Sequence, residues 1–312
     1  MNKLKEKTAL VTGGASGIGF GMVEAFLEQG MNVIIADVRE DHLNQAREAL
    51  VGRNDVHFLL LDVTNRPAMA AAAKEVKNVF GKLHVLCNNA GVGPMTSVNQ
   101  CSYDDWDWCL DVNMNGVFNG LHNFLPLIQA HEEGGHIVNT ASVAAGLPMD
   151  FAYTASKCGV LGVTEGIAEE LATMNIGATC LMPGPVKTNI HEIAKLRPAR
   201  YSDTPLAEAE AQMAQRKAPD HWLAPIVVGR MVVDAIQRNL LYIFTHKEFA
   251  DGIRKRHEAI LAALPIGEVT QEEKDNMGFA VENSIHDRLI HISPASAERI
   301  EIELKKGKNN NE

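Results

Sequence analysis

Much is missing from this 312-residue chain, and each absence removes a class of protein. The five cysteines (Cys87, Cys101, Cys109, Cys158 and Cys180) form no C-x-x-C pair and stand near no histidines at zinc-ligand spacing. That excludes a disulfide scaffold, and the odd, scattered set reads as reduced thiols in a cytoplasmic protein. The twelve histidines are equally dispersed, and His286 and His291 are at the wrong interval for two ligands on one helix face. No metal site is expected. Positive charge is scarce: 29 Lys and Arg against 39 Asp and Glu leave a net charge of −10. Without a basic cluster there is no source of affinity for nucleic-acid phosphates. No apolar run reaches the roughly 18–20 residues of a membrane helix. The basic start, 1–7, leads only into a short apolar strand and glycines, which does not make a signal peptide. Aromatic residues are few at 5%, yet 46% of the chain is hydrophobic and 22% charged, so a large core can form. Internal repeats and low-complexity tracts are also lacking.

What is present is alternation. Continuous apolar runs occur at 8–12, 33–36, 56–61, 83–87, 136–141 and 178–182. Unbroken runs, rather than alternating ones, suit strands buried on both faces. Between them lie helical periodicities: Phe20, Val23, Phe26 and Leu27; Met69, Ala73, Val76 and Phe80; Val160, Val163, Ile167 and Leu171. A helix over 225–238, a strand over 240–244 and a helix over 249–263 follow. The pattern predicts an α/β fold: a Rossmann-like, doubly wound parallel sheet of about seven strands with helices on both faces. One domain spans 1–264. The remainder, 265–312, is a C-terminal extension in which Ser293-Pro294 opens a last helix and 305–312 is a frayed tail.

The first strand runs straight into Thr12-Gly13-Gly14-Ala15-Ser16-Gly17-Ile18-Gly19, where a helix begins. Glycines there let the backbone turn and approach a pyrophosphate, and the helix N-terminus offers free N–H groups to the anion. Gly13, Ser16, Gly17, Ile18 and Gly19 are the expected contacts. The spacing is G-x-x-x-G-x-G, not the G-x-G-x-x-G of the general dinucleotide fingerprint, and a glycine-rich turn alone is weak evidence. Asp37 ends the second strand, where a carboxylate can accept from both adenosine ribose hydroxyls and repel a 2′-phosphate. The plain alternative is an Asp capping the next turn. With the loop beside it, Asp37 points to NAD; Arg39, two residues on, keeps NADP open.

Tyr153 and Lys157 stand one turn apart on a predicted helix. A free tyrosine is a poor base at neutral pH, but a neighbouring ammonium favours the phenolate and makes it a usable acid/base. Alone, the pair could equally be a surface tyrosine stacked on a lysine stem. Its company decides. Thr12 to Gly19, Asn88-Asn89-Ala90-Gly91, Asn113, Ser142, Tyr153 with Lys157, and Pro183-Gly184, in that order, closely resemble the short-chain dehydrogenase/reductase family over about residues 5–245.

The resemblance implies roles. Tyr153 would be the acid/base, Ser142 would hydrogen-bond the substrate oxygen, and Lys157 would bind the nicotinamide ribose and lower the tyrosine pKa. Asn113 would hold a water in a proton relay to the lysine; read without the family it is a helix polar residue with no assignable job. Asp62 and Val63 would lie at the adenine ring, and Asn89, Ala90 and Gly91 at the adenosine ribose, with Asn89 also tying strands together. Pro183, Gly184, Val186 and Thr188 would fix the nicotinamide carboxamide. The implied chemistry is pro-S hydride transfer between NAD and an alcohol or ketone, in a homodimer or homotetramer paired through helices near 105–129 and 151–173.

Three departures from the family pattern stand out: a short Ser142–Tyr153 interval, a long segment over 189–221 where the family carries its substrate lid, and a chain that continues well past residue 244. The lid implies a bulky substrate. Leu196-Arg197-Pro198-Ala199-Arg200-Tyr201, Gly19-Phe20-Gly21, 103–108 and the long C-terminus are similar to a bacterial subgroup that includes the Cα-dehydrogenases of lignin aryl-ether dimers, NAD-dependent oxidants of benzylic alcohols. The plain reading of that lid stretch is a loop begun by Arg197-Pro198 with Tyr201 on the surface. Cys158 reads as a core thiol, Trp106 and Trp108 as packing or interface residues, and Glu272, Glu273 and Asp275 as a solvated face. An NADPH-dependent ketone reductase and a non-catalytic nucleotide-sensing protein remain as alternatives.

Overall fold

The computed structural model describes residues 1, 3–93, 96–202, 204–213, 218–277 and 285. Seven strands form one sheet: β1 (Thr8–Thr12), β2 (Asn32–Asp37), β3 (Val56–Leu60), β4 (Val85–Asn88), β5 (Gly135–Thr140), β6 (Ile176–Met182) and β7 (Tyr242–Phe244). Their order is β3-β2-β1-β4-β5-β6-β7, every neighbouring pair parallel. Strands β1, β4 and β5 are buried along their whole length, which is why their sequences read as unbroken apolar runs.

Two helical layers cover the sheet. One holds α1 (Gly17–Glu28), α2 (Glu40–Ala49) and α9 (Pro225–Arg238); Phe26, Leu43 and Val232 enter its core. The other holds α3 (Arg66–Phe80), α5 (Gly116–Gln129) and α7 (Ala152–Ala172), with Val76, Phe124 and Val160 inside. Each such fully buried side chain contributes about 1.5–3 kcal/mol relative to exposure. α1 and α9 approach to backbone contact: a Cβ on Gly21 would lie 2.3 Å from the Pro225 carbonyl carbon, so a side chain there would force the helices apart.

The expected boundaries shift by a residue or two, with one larger difference. The helix foreseen over 105–129 is α4 (Tyr103–Leu110), a π-helical turn (Asp111–Asn115) and then α5. After β6 the chain forms 3-10 turns at Ile190–Leu196 and Ala199–Tyr201, then α8 (Pro205–Met213). Beyond β7 come α10 (Ala250–Ala262) and α11 (Gln271–Met277); Ser293-Pro294 and the tail over 305–312 lie outside the described residues. No helix among the described residues is long and apolar enough to cross a membrane.

Candidate active site

In a doubly wound sheet the ligand crevice opens at the carboxyl ends of the strands, where strand order reverses. Here that point lies between β1 and β4. Gly13 follows β1 with φ +61°, and a Cβ on it would stand 3.0 Å from the Ala90 Cα, so the turn is built around glycine. Ser16 caps α1 by position yet makes no side-chain cap bond, which leaves the helix N-terminus open to an anion. Thr12 Oγ1 accepts from the N–H groups of Asn89 (2.9 Å) and Ala90 (3.1 Å). Asn89 Nδ2 donates to Thr12 O (3.0 Å), and its Oδ1 accepts from Thr140 Oγ1 (3.2 Å), tying β1, β4 and β5 together. Gly19 does not reach the crevice; it faces the Gly13 carbonyl and the Asn89 amide inside α1.

At the end of β2, the buried Asp37 accepts from the N–H of Ala15 (3.2 Å) and of Arg39 (3.0 Å). Burial raises its pKa, and those two bonds oppose the rise. Asp62 closes its own turn by accepting from Thr64 N at 2.9 Å, and Val63 O accepts from Asn119 at 2.8 Å. Past β6, Pro183 O accepts from Val143 N (3.0 Å) and Gly184 N donates to Thr245 Oγ1 (2.9 Å). Val186 bridges Leu223, and Thr188 stands against Gly17 across the mouth of the crevice.

Ser142 follows β5 and caps the one-turn helix α6 (Val143–Gly146), its Oγ accepting from Ala144 N at 3.1 Å. Tyr153 occupies the first turn of α7 and Lys157 the next. Lys157 Nζ donates to Thr140 O at 3.0 Å and lies 5.6 Å from the centre of the Tyr153 ring. These residues on their own do not produce the expected lowering of the phenol's pKa by the ammonium. Burial drives both groups toward neutrality: Tyr153 is pushed up to about 12, against a hydrogen bond with the Ser142 side chain that pulls it down, and Lys157 is brought down to about 8. The amine spends its reach on a backbone carbonyl instead of the phenol oxygen.

These groups open into one cavity of about 740 Å³ that receives Ser142, Tyr153 and Lys157 together with Gly13, Asp37, Asp62, Asn89, Gly184 and Thr188. Asn113 is not in its wall. It belongs to the π-helical turn, where Oδ1 accepts from Val92 N (2.8 Å) and Nδ2 donates to Val92 O (2.9 Å) and Ser156 Oγ (2.9 Å). It backs the site from behind Gly91, within reach of the space beside Lys157 Nζ.

The far wall is the part the sequence did not reveal. Arg197 is buried and forks onto Glu210 (2.9 and 2.8 Å), reaches Asp105 (2.7 Å) and Tyr201 O (3.0 Å), and lies 4.3 Å over the Trp108 ring. Burial pushes the Asp105 carboxyl up, but bonds from Ser102, Arg197 and Thr204 outweigh it and hold the pKa low. Arg197-Pro198 does form the irregular link between two 3-10 turns, as the plain reading has it, but the arginine side chain also clamps this segment to α4. Tyr201 is only partly exposed and donates to Asp111 Oδ2 at 3.1 Å. Trp108 packs as expected and also lines the cavity, as do Phe249, from beyond β7, and Met149, from the short Ser142–Tyr153 interval.

Among the described residues, one cluster could in geometry hold a metal: His84, His131 and Glu133. Its atoms already have protein partners. His84 Nδ1 accepts from Thr8 N (3.1 Å), His131 accepts from Glu133 N (3.2 Å) and reaches Leu83 O (2.7 Å), and Glu133 pairs with Lys7 and Lys82. Two ammonium groups beside the carboxylate oppose a cation.

A parallel doubly wound sheet whose reversal point opens on a glycine turn, with a buried tyrosine, lysine and serine at its strand ends, defines a dinucleotide-fold oxidoreductase. A family profile described as short chain dehydrogenase matches residues 7–197. The chain is 35% identical over 269 residues to a C alpha-dehydrogenase of Sphingobium sp., an alignment covering 85% of this chain and 88% of that protein. Its fold superposes on a short-chain dehydrogenase/reductase of Burkholderia phymatum in complex with NAD, with TM-score 0.78 and 32% identity, covering 86% of this chain and 100% of that one. It also superposes on the apo form of LigO from Sphingobium sp., with TM-score 0.70 and 32% identity over 98% of each. The protein belongs to the short-chain dehydrogenase/reductase family and is an oxidoreductase of alcohol or ketone substrates.

Proposed function

We propose that this protein is an NAD-dependent dehydrogenase interconverting a bulky or aromatic secondary alcohol and its ketone. The observation that carries the reading is the convergence of Ser142, Tyr153 and Lys157 on the cavity that also receives the glycine turn and Asp37. The residues fit a dinucleotide: the Gly13 turn leaves no room for a side chain, and the α1 N-terminus is uncapped. Bound NAD would supply the hydride acceptor.

The chain's own groups would do the rest. Gly13, Ser16, Gly17 and Ile18 would hold the pyrophosphate, Asp37 the adenosine ribose, and Asp62 and Val63 the adenine. Asn89, Ala90 and Gly91 would line the ribose, while Pro183, Gly184, Val186 and Thr188 would orient the carboxamide. Ser142 Oγ would hydrogen-bond the substrate oxygen, Tyr153 would take its proton, and Lys157 would bind the second ribose and favour the phenolate once a cationic ring joins it. Asn113 would position the loop behind Gly91 and a relay water.

NAD is favoured over NADP by the engagement of Arg39 with Asp41 and Glu192. Trp108, Phe249 and Met149 in the wall, and the likeness to a C alpha-dehydrogenase, favour a benzylic substrate. Exposed Met114 and Phe118 on the π-turn and α5, and the open Gly162 and Gly166 of α7, suit self-association as a dimer or tetramer. Reduced thiols suit a cytoplasmic setting. The test is Tyr153→Phe, assayed with NAD and a panel of benzylic, steroidal and alicyclic alcohols: turnover is lost while NADH still binds. Retained turnover overturns the role given to Tyr153.

A further inference from the structure

The segment past β6 crosses the cleft and grips its opposite bank. Glu192 lies at a kink in the 3-10 stretch Ile190–Leu196, with φ −84° and ψ 17°. Its Oε2 accepts from Arg39 Nη1 at 2.5 Å, across 153 positions of sequence. Arg39 stands just beyond β2, two residues after Asp37, and its side chain is only 10% exposed. Its Nε donates to Asp41 Oδ1 at 2.9 Å and its Nη2 to Asp41 Oδ2. His42 Nε2 lies 3.9 Å and Lys195 Nζ 3.1 Å from the same Glu192 oxygen. Asp37, Arg39 and His42 on one bank, and Asn189 and Ile190 on the other, line the same cavity.

Arg39 is the residue that the sequence offers to a 2′-phosphate. In this arrangement two carboxylates neutralise it and fix the direction of its fork, with a third carboxylate, Asp37, close by. A phosphate arriving there would meet like charge and a guanidinium three of whose five N–H donors already bind carboxylates. The same bond joins two banks of the cleft, since Glu192 comes from the segment after β6 and Arg39 from the β2 end, and His42 stands 3.9 Å from the same carboxylate oxygen.

We propose that Glu192 is a cofactor-selecting residue of the lid: its bond to Arg39 denies that guanidinium to NADP and latches the lid across the bound dinucleotide. The proposal rests on the NAD reading above and goes beyond it, because it assigns part of the selectivity to the lid and not to the β2 carboxylate. Glu192 acts through Arg39, so it is a positioning residue.

The experiment compares the wild type with Glu192→Gln and Glu192→Asp, measuring NADH and NADPH dissociation constants by nucleotide fluorescence and NADH release by stopped flow. Wild type binds NADH more tightly than NADPH. Glu192→Gln removes one of the two carboxylate charges that neutralise Arg39, tightens NADPH by roughly tenfold and speeds NADH release, with an unchanged thermal midpoint. Glu192→Asp restores part of both effects. If either NADPH affinity or NADH release is the same in Glu192→Gln as in wild type, the latch is overturned while the NAD reading stands. A wild type that prefers NADPH overturns both.

Discussion

The two halves of the cleft are built on different physics. At the half proposed for the adenosine, each proposed contact group ends a parallel strand or follows one within two residues: Gly13 after β1, Asp37 ending β2, Asp62 after β3, Asn89 after β4. Sheet register fixes these positions, and short side-chain-to-backbone bonds such as Asn89 to Thr12 lock them. The half proposed for the substrate has no such frame. Its roof is carried by 3-10 turns and α8, held down by a buried cation between two carboxylates, Arg197 with Asp105 and Glu210. One half is positioned by the fold, the other by a charge cluster the fold does not require. Between them stand Tyr153 and Lys157, both forced toward neutrality by burial.

If that division holds, damage at one half should leave the other intact. The largest effect is at the junction. Lys157→Met lowers kcat/KM by roughly a thousandfold or more, the upper range for losing an acid/base partner. It should also stabilise the empty protein, because a buried amine is replaced by an apolar chain of similar reach. The sign is checked by pH. An unfolded lysine keeps its proton to its ordinary 10.5 whereas the folded one releases it near 8, so wild-type stability climbs between those values. Lys157→Met should lack that climb, as thermal melts across the range will reveal. With hydride transfer limiting, alcohol oxidation rises with pH from 7 to 10, because the phenolate fraction of a tyrosine held up near 12 is still growing. A flat profile speaks against Tyr153 as the base.

Next in size is Arg197→Met, which strands Asp105 and Glu210 in a dry setting and destabilises by about 3–5 kcal/mol. The thermal midpoint falls and KM for the alcohol rises. NADH affinity, set in the other half, moves by no more than about twofold. An equal loss in both would erase the contrast. Smallest is Asp37→Asn, which weakens NADH binding by roughly tenfold through loss of a charged acceptor. KM for the alcohol, measured at saturating cofactor, should stay put.

The same division explains what was legible in the sequence. The sheet could be read because strands buried on both faces have no polar alternation to confuse them, and the positions of the residues proposed for the adenosine because they follow those strands directly. Ser142, Tyr153 and Lys157 could be placed for the same reason: a strand end and one helical face. Arg197 could not, because a buried arginine is spelled like a surface one and its partners lie 92 and 13 positions away. One local signal existed: Ser102 and Asp105 form a capping box at the start of α4, which puts Asp105 at a helix end facing inward. The π-helical turn under Asn113 was hidden as well, since a one-residue shift of apolar phase within a single turn is hard to tell from ordinary three- and four-residue spacing. The spacing of Tyr153 and Lys157 shows proximity, whereas the burial that shifts their pKa values depends on everything packed around them.

The most direct measurement is a crystal structure of the ternary complex with NADH and a ketone that the enzyme reduces. The account predicts the ketone oxygen within roughly 2.6–3.2 Å of both Ser142 Oγ and the Tyr153 hydroxyl, with the nicotinamide ring beneath it. A ketone held elsewhere in the cavity, or a nicotinamide turned out of the strand-end crevice, would contradict it.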